Sequence, residues 1–476
     1  MNNKPKKLKI FCFLDKAVGR DTEIVLPVLY GLEKAINCEL TVLFIWNIHK
    51  IKIEKPDLII LPNAKGHHMY FEIAKYAYQC GIKVFALESE GNFRTDGSFP
   101  YWGYNKDQFF YQEWVTCWSE RTQEFIKKIA PNEQKEKIVL TGATGFDRYV
   151  YGKFMQRDVF LKKYNKEKYT KIIGYAGWGF GKIYSAHKDV ALNHIFPNDK
   201  EKRFEWVKKY RVYVRDILKL AIENNPDILF VFKRHPKEAF ESDLSEGPNE
   251  MNELLDYDNV LYFWHEEQIH DLINVSDFWM GFETTTSLEG WMLGKQTILI
   301  NDGTDFPRNN LHIGSPKVSN YTELQEVIDE YYINQDIKIF SRPELQKNRA
   351  FLIHDTIGYA DGKNHLRALY FLIKTLDKIE PGESKPKLNL RHLRLYFLMH
   401  FGKYFFNKNI FAKLPYFRKT IYVFESMNLN GFESRRKEYW KTMDEFYKKH
   451  HIEEKLNKQD WESIFPLDFV NQQQNG

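Results

Sequence analysis

The sequence predicts an α/β chain made of two facing Rossmann-like domains with a helical C-terminal extension. Three observations predict it. Short apolar runs rich in β-branched and aromatic residues alternate with amphipathic stretches of helical length. The alternation occurs twice, on either side of a charged break at 156–171. Several of the runs end abruptly in polar or glycine-containing clusters, and the carboxyl edge of a parallel sheet is where ligands bind.

The first series starts with a strand over 8–15, a helix over 22–36 and strands over 38–46 and 57–61. A helix at 68–80 leads to a strand at 83–87, and strands at 114–118 and 137–141 flank a helix at 119–129. Ser119 and Glu120 suit that helix start through capping and the helix dipole. The second series has strands at 171–176, 228–232, 260–263, 278–280 and 296–300, with helices at 203–223, 266–274, 284–293 and 321–333. Domains are therefore expected over 1–155 and 165–340, followed by helices crossing back over 341–380 and an extension over 381–476.

Composition narrows the class. In 476 residues, 43% are hydrophobic and 16% aromatic, enough for a large core and against global disorder. The net charge of +5 is too small to argue for nucleic acid. Cys12, Cys38, Cys80 and Cys117 lie in or beside apolar runs without CxxC spacing, which reads as reduced core cysteines of a cytoplasmic protein and not a zinc site. The N-terminal apolar run stops at Asp15, too short for a signal peptide, and no apolar run is long enough to span a bilayer.

Five clusters can carry chemistry. The strand 228–232 ends in Lys233-Arg234-His235-Pro236, two cations and an imidazole whose backbone the proline restricts. After the strand 278–280 come Thr284, Thr285, Thr286 and Ser287 at a helix start, a hydroxyl-rich set that suits a phosphate, with Glu289 placed to reach ribose hydroxyls. The strand 83–87 ends in Glu88-Ser89-Glu90-Gly91, where a partly desolvated carboxylate can serve as a general base. Gly142 to Asp147 reads as a cleft-facing loop without the GxGxxG order of a dinucleotide site. In Gly177-Trp178-Gly179, Trp178 is offered for stacking on a base or sugar. Ordinary capping, solvated charge and structural turns are the competing explanations for each cluster.

Taken together, the acidic-Gly cluster, the Arg-His-Pro cluster and the hydroxyl-rich helix start resemble a GT-B glycosyltransferase over about residues 8–375. The chain is most similar in pattern to bacterial surface-carbohydrate biosynthesis proteins, which are related to CMP-sugar-dependent transferases of sialyl or Kdo type. The resemblance implies an N-terminal acceptor domain and a C-terminal nucleotide-sugar donor domain. It implies that Glu90 activates the acceptor hydroxyl, with Glu88 in reserve, and that His235 contacts the donor phosphate. Thr284, Thr285, Thr286 and Ser287 would join it there. The sequence departs from the pattern at Ser89, which splits the acidic pair, and at Gly142-Ala143-Thr144-Gly145-Phe146-Asp147, where relatives have Gly-Asn-Pro-Arg-Phe-Asp.

The implied activity is inverting transfer of a nonulosonic acid or Kdo-like sugar from a nucleotide donor to a glycan or lipid-linked glycan acceptor. No DxD follows a strand of the first half, so neither metal nor other cofactor is expected. A sugar-nucleotide epimerase of the same fold and a non-catalytic glycan-binding scaffold are the rival expectations. Between Lys385 and Lys419 lie nine basic residues, no acidic one and many aromatics. Such a segment suits peripheral contact with an anionic membrane, here the inner face of the cytoplasmic membrane, in preference to nucleic acid.

Overall fold

A computed structural model describes residues 7–17, 19–91, 107, 109–181, 199–235, 249–264, 266–302, 310–379, 384–406 and 429–465. The chain divides into two compact units, Met1–Gly152 with His354–Gly476, and Lys153–Ile353. Each is built on a six-stranded parallel sheet, so the α/β architecture of two Rossmann-like domains stands as expected.

In the first unit the strands are β1 (Lys9–Leu14), β2 (Glu39–Phe44), β3 (Leu58–Leu61), β4 (Lys83–Ala86), β5 (Val115–Cys117) and β6 (Ile138–Leu140). Their order in the sheet is β2-β1-β3-β4-β5-β6. From β1 the chain steps outward to β2, then returns to β1's other side for β3. The strand order thus reverses at β1 and β3, and this switch point opens a crevice at their carboxyl ends. The strands are apolar on both sides because both sheet faces are covered, as parallel strands require.

The helix Arg20–Ala35 is buried continuously from Thr22 to Leu32. A helix buried on all sides needs a second cover besides the sheet. The chain after His354 supplies it. The helices Asn364–Leu376 and Leu429–Lys449 pack on it, and a Cβ on Gly31 would meet both Leu369 and Tyr447 at 2.9 Å. Tyr30 makes edge-on contacts with Trp440 and Tyr447. Arg435 and Arg436 pair with Glu23 (3.0 Å) and Glu33 (2.8 Å) of the same helix. Much of the extension is therefore an integral layer of the first unit.

The second unit contains β7 (Lys171–Ala176), β8 (Ile228–Lys233), β9 (Val260–Phe263), β10 (Phe278–Gly281), β11 (Thr297–Ile300) and β12 (Lys317–Val318). The order is β12-β11-β10-β7-β8-β9, with the switch point between β7 and β10. β12 is two residues long and escapes a search for apolar runs. The helix Lys200–Asn224 is capped by Asp199, whose carboxylate accepts from the Lys202 N–H at 2.9 Å, and it ends just before Pro226. The expected charged break contains a short helix of its own, Arg157–Lys163. All four cysteines are free, and burial pushes the Cys12 and Cys117 thiols well up.

Candidate functional site

The switch point of the first sheet gathers carboxylates. β1 delivers Asp15, the start of the following helix delivers Asp21, and the loop after β4 delivers Glu88 and Glu90. The Tyr70 hydroxyl accepts from the Asp15 N–H at 2.7 Å and lies 3.4 Å from its carboxylate. Burial raises Asp21 to about 7, helped by the charges of Asp15 and then Glu90, while the Tyr70 hydroxyl and Arg20 pull it back. Burial also lowers the His67 imidazole, against the pull of Asp15. Asp21 is thus poised to hold a proton near neutrality.

The two glutamates of the acidic cluster have different surroundings. Glu88 is buried, and its carboxylate accepts from Asn63 Nδ2 at 3.1 Å and from the Glu90 N–H at 3.2 Å. Its carbonyl accepts from Trp118 Nε1 at 2.7 Å. A Cβ on Gly91 would lie 2.2 Å from the Trp118 ring, so only glycine lets the loop pass that indole. Glu90 is half-exposed and forms an ion pair with Arg20. The loop is pinned through Glu88, and Glu90 is the carboxylate it presents.

Asn63 was not legible as a site residue. It is buried after β3, its side-chain oxygen accepts from the N–H groups of Lys65 (2.7 Å) and Gly66 (2.6 Å), and its amide holds Glu88 and Ser89. Asp15, Asp21 and Tyr70 were missed likewise. The position of Asp15 at a strand end is the one available signal, since β1 and β3 become neighbours only through the fold.

In the second unit, β7 and β10 bring Gly177 and Gly281 to the switch point. Glu283 follows with φ 47°, a left-handed conformation that a non-glycine residue rarely adopts and that turns the chain sharply into the helix Thr286–Met292. The Thr284 hydroxyl accepts from the Thr286 N–H at 3.2 Å, and the Thr286 hydroxyl accepts from Trp279 Nε1 at 2.9 Å. These two threonines therefore already serve the turn. Thr285 is half-buried, and the Ser287 hydroxyl is 1% exposed and makes no hydrogen bond. Glu289 is half-buried on the same helix. Glu250, fully buried, also lies at this edge. It accepts from the Tyr175 hydroxyl at 3.0 Å, and a Cβ on Gly177 would sit 2.0 Å from its carboxylate.

At the end of β8, one strand from the switch point, the expected cationic cluster separates into different environments. The Lys233 ammonium donates to the Trp264 and Glu267 carbonyls, both at 2.7 Å, and burial lowers it to about 8. It fastens the loop after β9, contrary to the expectation of an open donor cation. Arg234 is buried with its guanidinium 5.2 Å from the Trp264 ring centre. His235 is half-buried beyond it, and Pro236 lies outside the described residues.

Two further expectations are corrected. Trp178 is 1% exposed and packs edge-on against Phe180 and Trp206, so its ring is core and not a stacking platform. Asp147 does not face a cleft. It is 1% exposed, and its carboxylate accepts from the backbone N–H groups of Asn364 (3.0 Å) and His365 (2.7 Å), capping the helix Asn364–Leu376.

No protein-family model matches the chain, and no curated protein matches it. Solved structures are similar to it. One is Staphylococcus aureus MnaA with UDP, at 14% identity and TM-score 0.48, covering 80% of this chain and 100% of that one. Another is the UDP-GlcNAc 2-epimerase of Neisseria meningitidis bound to UDP-GlcNAc, at 14% identity and TM-score 0.45, covering 78% and 100%. A glycosyltransferase from Rickettsia africae has 14% identity and TM-score 0.42, covering 78% and 99%. At such identities no residue's role passes from one chain to the other.

The titration of Asp21 has a measurable sign. A carboxyl raised in the folded state binds more protons folded than unfolded between its ordinary value of 3.8 and about 7. Stability is therefore lost as pH rises through that window. Asp21→Asn should stabilise the chain above pH 7 and leave it little changed below pH 4, as read by denaturant unfolding across pH. An equal effect at both ends would mean that the carboxyl is not strained by burial.

Proposed function

We propose that the chain is an enzyme of nucleotide-sugar chemistry, a glycosyltransferase that moves a sugar from a nucleotide donor to a glycan acceptor. The observation that carries this reading is the convergence of Asp15, Asp21 and Glu90 at the switch point of the first sheet, with Asp21 shifted to about 7. Catalytic groups are tuned toward the operating pH by such burial and like-charge pairing. In this reading Glu90 takes the acceptor proton. Backbone groups of the Gly281–Thr285 turn and His235 hold the donor's phosphates at the edge of the second sheet. A nucleotide leaving group departs with negative charge, and donors fixed in advance stabilise it without reorganising. The CMP-linked, Kdo-like or nonulosonic donor belongs to the same proposal and rests on the resemblance of the acidic-Gly and His-Pro clusters alone.

A second reading is sugar-nucleotide epimerisation. It is favoured by the raised Asp21 carboxyl, since epimerisation removes a proton from the sugar and returns one. One experiment separates the two. The purified chain is incubated with CMP-, UDP-, GDP- and CDP-linked sugars, with and without glycan acceptors, after a thermal-shift screen of the same donors. Nucleotide release that requires an acceptor is the expected result. Isomerisation of the donor alone would establish the epimerase. A bound donor that never turns over would make the chain a glycan- or nucleotide-binding scaffold, and no shift with any donor would overturn all nucleotide-sugar readings.

A further inference from the structure

The helix Leu390–Phe406 belongs to the first unit and uses one side to do so. His392 is buried with its ring 4.6 Å from Tyr76, Tyr396 lies 4.1 Å from His49, and Leu395 joins the core beneath the sheet. Just upstream, Pro386 is buried and the Lys385 N–H donates to the Cys80 carbonyl at 3.0 Å. The helix is therefore held in a fixed rotation.

Its opposite side carries exposed apolar side chains. Leu390, Phe397 and Leu398 are 73%, 54% and 58% exposed, and Leu388 and Phe401 are also exposed. From Leu390 the exposed set recurs as Arg394, Phe397, Leu398 and Phe401, a spacing that places all of them on one helical face. Arg394 lies within that stripe and Arg391 at its edge, and Lys385 and Lys387 precede the helix in the chain; all four are exposed. Among the described residues, Glu72 lies 3.9 Å from Arg391. Isolated exposed leucines are ordinary, but an aligned apolar stripe with cations beside it is not.

We propose that this face docks on an anionic lipid bilayer, with the helix lying in the plane of the interface. The chemistry selects that occupant. Leu390, Phe397 and Leu398 are of the kind that enters the acyl boundary, and the arginines and lysines beside them meet acidic headgroups. A protein partner would require a shape-complementary surface, whereas a bilayer requires only exposed apolar side chains beside cations. Lys403, Lys408, Lys413, Arg418 and Lys419 continue the same composition along the sequence, again with no acidic residue before Glu425. Among the described residues no helix is long and apolar enough to cross a membrane, so the contact is peripheral.

The test is co-sedimentation of the full chain with vesicles of phosphatidylglycerol and phosphatidylcholine, set against phosphatidylcholine alone. The chain should sediment with the anionic vesicles only, and added salt should release it. Leu390→Ser with Phe397→Ser should weaken binding on the order of a hundredfold. Arg391→Gln with Arg394→Gln should weaken it roughly thirtyfold and flatten the salt dependence. All four positions are exposed, so unchanged far-ultraviolet dichroism and melting are expected for both variants. Absence of sedimentation at low salt would overturn the proposal. So would undiminished binding by Leu390→Ser with Phe397→Ser, or a wild-type dimer that this variant dissolves without any vesicle binding.

Discussion

Glu90→Gln is expected to lower turnover about 10²–10⁴-fold, the range for losing a general base, and to leave donor affinity nearly unchanged. The substitution keeps the volume and removes the basicity. Its structural cost is small, because the ion pair with Arg20 is partly exposed on both sides and such pairs contribute at most about 1 kcal/mol. A second readout follows from the cluster. The Glu90 charge helps hold Asp21 near 7, so its removal should let Asp21 fall toward the ordinary carboxyl range, observable by NMR titration. Glu88→Gln should behave differently. Glu88 is buried and accepts from Asn63 and from the Glu90 N–H, so replacing one carboxylate oxygen by an amide disturbs the loop and lowers stability as well as rate. Near-normal turnover in Glu90→Gln with a stable, inactive Glu88→Gln would move the base to Glu88. Near-normal turnover in both would remove the acidic loop from the mechanism.

The contrast between those two glutamates shows what the sequence can carry. That Glu88 and Glu90 follow a strand was legible, because strands covered on both faces are continuous apolar runs and β4 is one. That the first is a structural anchor and the second a presented group was not, since it depends on Asn63, which enters from the neighbouring strand. The convergence of Asp15, Asp21 and Tyr70 has the same origin. Their positions along the chain carry no common spacing, and only the order β2-β1-β3-β4 assembles them. At β8 the reverse happened. Lys233 and Arg234 look like an open cationic patch when the local string is read alone, yet the loop after β9 folds over and uses them. Trp178 differs from its sequence expectation for a related reason. Its glycine neighbours suggested an open loop, while the side chains that bury it, Trp206 among them, come from a distant helix. The extension was half legible: its basic-aromatic composition was plain, but composition cannot tell that Tyr396 and His392 turn inward while Phe397 stays out.

Asp147→Ala should destabilise the first unit by about 3–5 kcal/mol, the scale for breaking a buried charged or multiply bonded group. Asp147 lies in the loop after β6 and its carboxylate is fully engaged. It accepts from two backbone N–H groups at the start of the helix Asn364–Leu376 and from His365 Nδ1 at 2.8 Å. His365 in turn meets the Tyr447 hydroxyl at 3.2 Å through its other nitrogen, and both ring and carboxylate are inaccessible to water. Removal of the carboxylate leaves two helix-start donors and a histidine nitrogen unpaired in the interior. Water cannot replace it without a cavity, so the cost exceeds that of losing an exposed cap. Tyr447 is on the helix Leu429–Lys449, so the chain Asp147–His365–Tyr447 links the sheet's last loop to the extension. Asp147→Asn should cost less, since the amide oxygen still accepts from the helix start. Denaturant unfolding measures both. A site residue of the kind the glycine-bordered sequence suggests would behave oppositely, losing activity in Asp147→Ala with stability intact, and that result would return the loop to the candidate site.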